Sequence, residues 1–151
     1  MKHKFRPDDF AWEGVAAAGY QSQGETDGES YRGVTRHILS GSSGEPSTFQ
    51  VRYFQVEPGG FTRLERHEHI HSVTVIRGHG YAIVGDAVHP IADLDHVYVP
   101  PMTLHQFVND GDTPFGFLCI VDAVRDRPQP ATPNDVTHLQ ANPATAGKAR
   151  V

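Results

Sequence analysis

Between residues 32 and 122 the chain is cut into short apolar runs by Gly, Pro, Asn and Asp, and the cuts come too often for helices to form between them. The runs fall at residues 32–39, 48–57, 61–67, 71–76, 81–84, 87–91, 97–99, 104–108 and 116–121. Pro58-Gly59-Gly60, Arg77-Gly78-His79-Gly80, Gly85-Asp86, Pro100-Pro101 and Asn109-Asp110-Gly111-Asp112 separate many of them. Each run is rich in β-branched and aromatic residues and has strand length, and turn signals at this interval mark a sandwich or a barrel. An all-β domain over residues 32–124 is therefore expected. Residues 1–31 form an irregular N-terminal arm that is polar and Gly-rich, anchored by Phe5, Phe10, Trp12 and Tyr20, with one short helix expected near residues 8–14. Residues 125–151 begin with Pro128, Pro130 and Pro133 and lack apolar periodicity, so an extended or disordered C-terminal tail is expected.

Several function classes are excluded by composition. A chain of 151 residues suits one domain with a real core. A formal charge of −5 without a run of Lys or Arg argues against nucleic acid as a partner. No apolar stretch reaches the length of a membrane span, and the N-terminus leads into acidic sequence rather than the apolar core of a signal peptide, so a cytoplasmic protein is the default expectation. The single Cys119 forbids an internal disulfide and a zinc-finger site. Its apolar neighbours Phe117, Leu118, Ile120 and Val121 predict a buried structural thiol.

The chemistry lies in the histidines. His67, His69 and His71 alternate, and His105 follows in another predicted strand. Imidazole is the commonest transition-metal ligand, and residues two apart on a strand face the same way. In a continuous strand over residues 61–67, Arg63, Glu65 and His67 share one face, and a carboxylate buried there needs a metal or Arg63 as its partner. His79, His89 and His96 sit in or beside turns and read as solvated residues, while His3, His37 and His138 lie outside the cluster. Tyr53, Phe54, Phe107 and Phe117 read as barrel packing, part of which must line any cavity.

These spacings resemble the two motifs of the cupin superfamily. With Gly59 and Gly78 as its ends, the first motif puts Glu65 on its first His position, His67 on its second and His71 on its Glu position. The second motif fits Pro100, His105 and Asn109, with Leu94 and Met102 standing where its two glycines would be. The resemblance implies a double-stranded β-helix, a small jelly-roll barrel with a site inside. It also implies one divalent transition metal per chain, with Fe, Mn, Ni, Cu and Zn not distinguished by the ligand types. Two ligand registers stay open. One is Glu65, His67, His71 and His105; the other is His67, His69 and His105, with His71 behind them.

As an enzyme, such a cupin is expected to act on a small organic substrate by dioxygenase-type, isomerase or lyase chemistry. Arg63 would serve as a fork for a substrate carboxylate or enolate, and Glu65, when not a ligand, as a general base. The alternatives are a non-catalytic module that binds a metal or small ligand, and a structural barrel with a vestigial site. The aromatic arm suggests cover for an edge strand, within the barrel or across the axis of a homodimer. Because protons compete with metal for three imidazoles, metal affinity is expected to fall steeply below about pH 6, and chelation to remove most of that pH dependence from stability.

Overall fold

The computed structural model describes residues 1–20 and 30–151. Among these described residues, thirteen strands and one helix follow in order. The strands are β1 (Phe5–Arg6), β2 (Ala11–Trp12), β3 (Ala17–Gly19), β4 (Arg32–Ser40), β5 (Phe49–Phe61), β6 (Glu65–Arg66), β7 (His71–Arg77), β8 (Gly80–Val84), β9 (Ala87–Ile91), β10 (His96–Val99), β11 (His105–Val108), β12 (Phe115–Asp122) and β13 (Gln129–Pro130). The helix is α1 (Pro133–Ala141).

All pairings among the described residues are antiparallel, and β5 joins the two halves of the barrel. Its first part lies between β4 and β12, while Phe61 at its far end pairs with Val108 of β11. One layer runs β3, β4, β5, β12, β7, β10; the other runs β9, β8, β11, β6, β13. Cross-strand partners share a face, so Phe117 beside Phe54 and Val75, and Cys119 beside Arg52 and Val73, point into the barrel together. Val56, Val73, Phe117, Ala82, Ile91 and Phe107 belong to one buried cluster drawn from both layers. This is the double-stranded β-helix expected from the motifs.

The left-handed backbone explains why the second motif survives two lost glycines. Leu94 and Met102 have φ of 70° and 55°, conformations that L side chains rarely adopt. The chain keeps the turn geometry and carries the strain of a side chain at each position. Met102 N–H donates to the His67 carbonyl at 2.7 Å, which ties the second turn directly to a site residue. Gly78, at the end of the first motif, has φ of 67°, and a Cβ there would stand 2.4 Å from the Pro114 carbonyl oxygen.

Three expectations are corrected. Residues 8–14 are not helical: β1 and β2 form a small hairpin that carries Phe10 and Trp12 onto Tyr53, with ring centroids 5.5 Å and 5.1 Å from it. The arm therefore covers the outer face of β5, and β3 pairs along the edge of β4. The continuous strand over residues 61–67 is broken, because regular pairing stops at Phe61 and resumes only at Glu65–Arg66. The tail is ordered, not extended. Thr132 and Asp135 form a reciprocal capping box with Pro133 at the helix start, and buried Leu139 packs with Leu64 and Leu104. An Arg66–Asp135 ion pair, the Tyr81 hydroxyl donating to the Lys148 carbonyl at 2.7 Å, and Gln106 bonded to both backbone groups of Arg150 fasten the tail across β6, β8 and β11. No helix is long and apolar enough to cross a membrane among the described residues.

Candidate metal centre

Strands β6, β7 and β11 bring Glu65, His71 and His105 together, and the bend between β6 and β7 adds His67 and His69. Glu65 is the cross-strand partner of His105. All five side chains are buried and line one cavity of about 200 Å³ inside the barrel. His67 and His69 stack with their rings 3.6 Å apart and within 2° of parallel, and His71 and His105 approach His67 edge-on at 4.6 and 4.8 Å.

The partners of the rings fix the free nitrogen in most cases. A carbonyl can only accept, so the His67 Nδ1–H donates to the His69 carbonyl at 2.7 Å and the His105 Nδ1–H to the Thr103 carbonyl at 2.9 Å. The His69 Nδ1–H donates to Asp126 Oδ1 at 2.7 Å. Each of these rings therefore keeps its lone pair on Nε2. Backbone or carboxylate partners of this kind hold metal-binding histidines in one tautomer. Asp126 is fixed in turn: against the raising effect of burial, the amides of Glu68 and His69 and the His69 ring hold its carboxyl well below the usual range.

His71 has a different partner, the Cys119 thiol, with Nδ1 3.1 Å from Sγ. If His71 offers Nε2 to a metal, its proton sits on Nδ1 and points at the sulfur, which favours thiolate. If Nδ1 accepts from the thiol, the ring carries Nε2–H and acts as a base instead of a ligand.

The electrostatics fit a cation. Burial pushes His67 and His105 down to about 4 and lowers His69 and His71, so all four imidazoles are neutral at physiological pH. Burial also pushes Glu65 up to about 7, and its Oε2 and the His67 Nε2 are buried without a hydrogen-bond partner. A divalent ion would satisfy both orphaned atoms and restore the Glu65 charge. Two overlapping groups have ligating atoms within 4.8 Å of one another: His67, His69 and His71, and Glu65, His67 and His105. The structure thus gathers the residues of both sequence registers around His67 without separating them. Metal binding should separate them: Glu65→Gln is expected to weaken it at least about ten-fold and more than His69→Ala does, and the reverse order in a chelator competition would select the three-histidine register.

Arg63 does not stand where the strand alternation put it. The break after Phe61 leaves it outside the cavity lining, with Nη1 4.0 Å from Glu65 Oε2. The arginines that do line the cavity are Arg36, Arg52 and Arg125, joined there by Tyr20, Cys119 and Asp126. Sequence reading missed these roles because no motif marks them. For Arg52 and Cys119 the signal was their place in β5 and β12, opposite one another and on the inward face.

Comparison with known proteins agrees with this architecture. The model of the Cupin_2 family, described as a cupin domain, matches residues 52–121. A 1-methylthio-D-xylulose 5-phosphate methylsulfurylase of Rhodospirillum rubrum is 42% identical over 144 residues, covering 94% of this chain and 89% of that protein. The crystal structure of a cupin 2 conserved barrel domain protein from Rhodopseudomonas palustris superposes with a TM-score of 0.88 at 36% identity, covering 100% of both chains. A sugar phosphate isomerase of the cupin superfamily from Silicibacter pomeroyi is 32% identical, with a TM-score of 0.53 over 60% of this chain and 59% of its own. Fold, paired motifs and near full-length similarity agree, and the chain belongs to the Cupin_2 family of small cupin barrels.

Proposed function

We propose that this protein is a metal-dependent cupin enzyme that transfers the methylsulfanyl group of a 1-methylthio-ketose phosphate to a thiol. The observation that carries the reading is the Cys119 thiol inside the cavity, held between His71 at 3.1 Å and Arg52 Nη2 at 3.9 Å. The name of the Rhodospirillum rubrum relative supplies the substrate class. It directs the reading away from the dioxygenase-type chemistry expected from the cupin motifs alone.

In a 1-methylthio-ketose the sulfur is attached to C1, beside the C2 ketone. Cys119, as thiolate, attacks that sulfur: a new S–S bond forms, the C1–S bond breaks, and its electron pair passes to C1 as an enolate. Burial raises the Cys119 thiol, and the adjacent Arg52 guanidinium opposes that shift. His71, whose Nδ1 lies 3.1 Å from the sulfur, takes the thiol proton as Cys119 becomes thiolate, and protonation at C1 by the His71 imidazolium then gives the 1-deoxyketose phosphate. The enzyme is left with a methylsulfanyl–Cys119 disulfide. A small soluble thiol displaces it, leaves as the methyl disulfide and restores Cys119, so the sulfurs are oxidised as C1 is reduced. A metal held by His67, His105 and their neighbours would supply Lewis-acid polarisation of the C2 ketone. The neutral imidazoles and the aromatic wall of Phe54, Phe107 and Phe117 keep the reacting carbon out of water.

The test is to incubate metal-loaded protein with a 1-methylthio-ketose phosphate and glutathione. One 1-deoxyketose phosphate and one methyl glutathionyl disulfide per substrate consumed are expected. Conversion to an isomeric sugar phosphate with the C–S bond intact would instead favour an isomerase, the activity named for the Silicibacter pomeroyi neighbour.

A further inference from the structure

The cavity holds a second cluster that the metal centre does not use. Arg52 is only 7% exposed, and its Nε and that of Arg36 are buried without a hydrogen-bond partner. Neither guanidinium forms an ion pair with a carboxylate among the described residues. Arg125 is turned into the same cavity by bonds from Nη1 to Gln50 Oε1 at 3.0 Å and the Asp122 carbonyl at 2.6 Å. The three cations sense one another: burial and then Arg52 lower Arg36, and burial followed by Arg52 and Arg36 lower Arg125.

Like charges gathered in a cavity, with donors left unmade, are costly unless an anion completes them. The carboxylates in the same cavity do not serve. Asp126 is taken by His69 and two amides, and Glu65 lies on the side of the metal centre, across from His105 and with Arg63 Nη1 at 4.0 Å. Planar guanidinium forks match the oxygens of a phosphoryl group and give charge-assisted bonds to it.

We propose that Arg36, Arg52 and Arg125 form a binding site for a phosphate monoester dianion, the end of the cavity that holds the phosphoryl group of the substrate. The anion site stands on the arginines themselves; that its occupant is the far end of a ketose phosphate rests on the function proposed above. Cys119 lies between His71 and Arg52, so a short carbon chain whose phosphate reaches the arginines brings its other end to the thiol and the histidines.

Calorimetric titration of the metal-loaded protein with D-xylulose 5-phosphate, D-xylulose and inorganic phosphate tests this. The ester should bind, the uncharged sugar should not at the same concentrations, and inorganic phosphate should bind more weakly than the ester. Arg36→Gln and Arg125→Gln should each weaken the ester about ten-fold or more, the scale of one charge-assisted bond, with melting temperature retained. Arg36→Lys should restore part of the loss. Unchanged ester affinity in both Gln variants would overturn the site, and inorganic phosphate binding as tightly as the ester would overturn its assignment to a monoester. Two patterns separate this inference from the proposed reaction. Arginine-dependent ester binding without methylsulfanyl transfer leaves the site standing and rejects the reaction. Transfer with KM unchanged in both Gln variants does the reverse.

Discussion

Cys119→Ser should leave the barrel folded and metal-competent while lowering methylsulfanyl transfer at least about a thousand-fold, on the scale by which loss of a covalent nucleophile lowers turnover. The substitution is nearly isosteric, and a hydroxyl in that place keeps His71 Nδ1 and the Arg52 guanidinium as partners. A serine oxygen, however, is neither ionised at neutral pH nor a good nucleophile toward sulfur. Intact-protein mass spectrometry gives a second readout. Wild-type protein incubated with substrate but no soluble thiol should gain the mass of one methylsulfanyl group, reversible with reductant, and Cys119→Ser should gain none. A Ser variant that turns over at the wild-type rate would mean that the soluble thiol attacks the substrate directly.

The placement of Cys119 marks the limit of the sequence reading. Its apolar neighbours signal burial, and the thiol is buried. They do not tell which face of β12 it takes: Cys119 faces the cavity with Phe117, while Leu118 and Ile120 point to the other face of the sheet, and the reactivity proposed for it rests on that face. The barrel itself was legible because turn residues fix the strand lengths, and inward-pointing strands force any histidine cluster into one cavity. The ligand register was not legible. It depends on the break between Phe61 and Glu65, where strand periodicity no longer tells which way a side chain points. The arginine cluster was equally hidden, since Arg36, Arg52 and Arg125 are far apart in sequence and meet only through β4, β5 and the segment after β12. The tail was a different kind of miss. Thr132-Pro133-Asn134-Asp135 carries a helix-start signature, a Thr cap with Pro at the first helical position and an acid at the third, and the surrounding prolines masked it.

Acid should destabilise the protein even without metal, beyond the metal-linked pH dependence that chelation removes. The unfolded chain binds protons at its histidines below about pH 6.5, whereas burial holds His67 and His105 near 4 and lowers His69 and His71 in the fold. Between those values the unfolded state carries more protons, so stability is fully present above about 6.5 and is lost as pH falls toward 4, at about 1.4 kcal/mol per proton per pH unit. Glu65 acts in the opposite sense: raised to about 7, it holds a proton in the fold that the unfolded chain has released, so its contribution grows as pH falls from 7 to its ordinary value of 4.5. Several histidines outweigh one carboxyl, and metal-free protein should lose more than one proton's worth of stability per pH unit between 6 and 5. Metal binding to the folded barrel follows a different course. Near neutrality its proton competitor is Glu65 and not the already neutral imidazoles, so affinity should fall by about one proton's worth around pH 7 and steeply only as pH approaches 4. Chelator-competition titrations from pH 5 to 8, run beside melting curves of the metal-free protein, test both statements. A three-proton dependence of metal affinity centred near pH 6.5 would show that the histidines are hydrated in the metal-free barrel, and the buried site described here would be wrong.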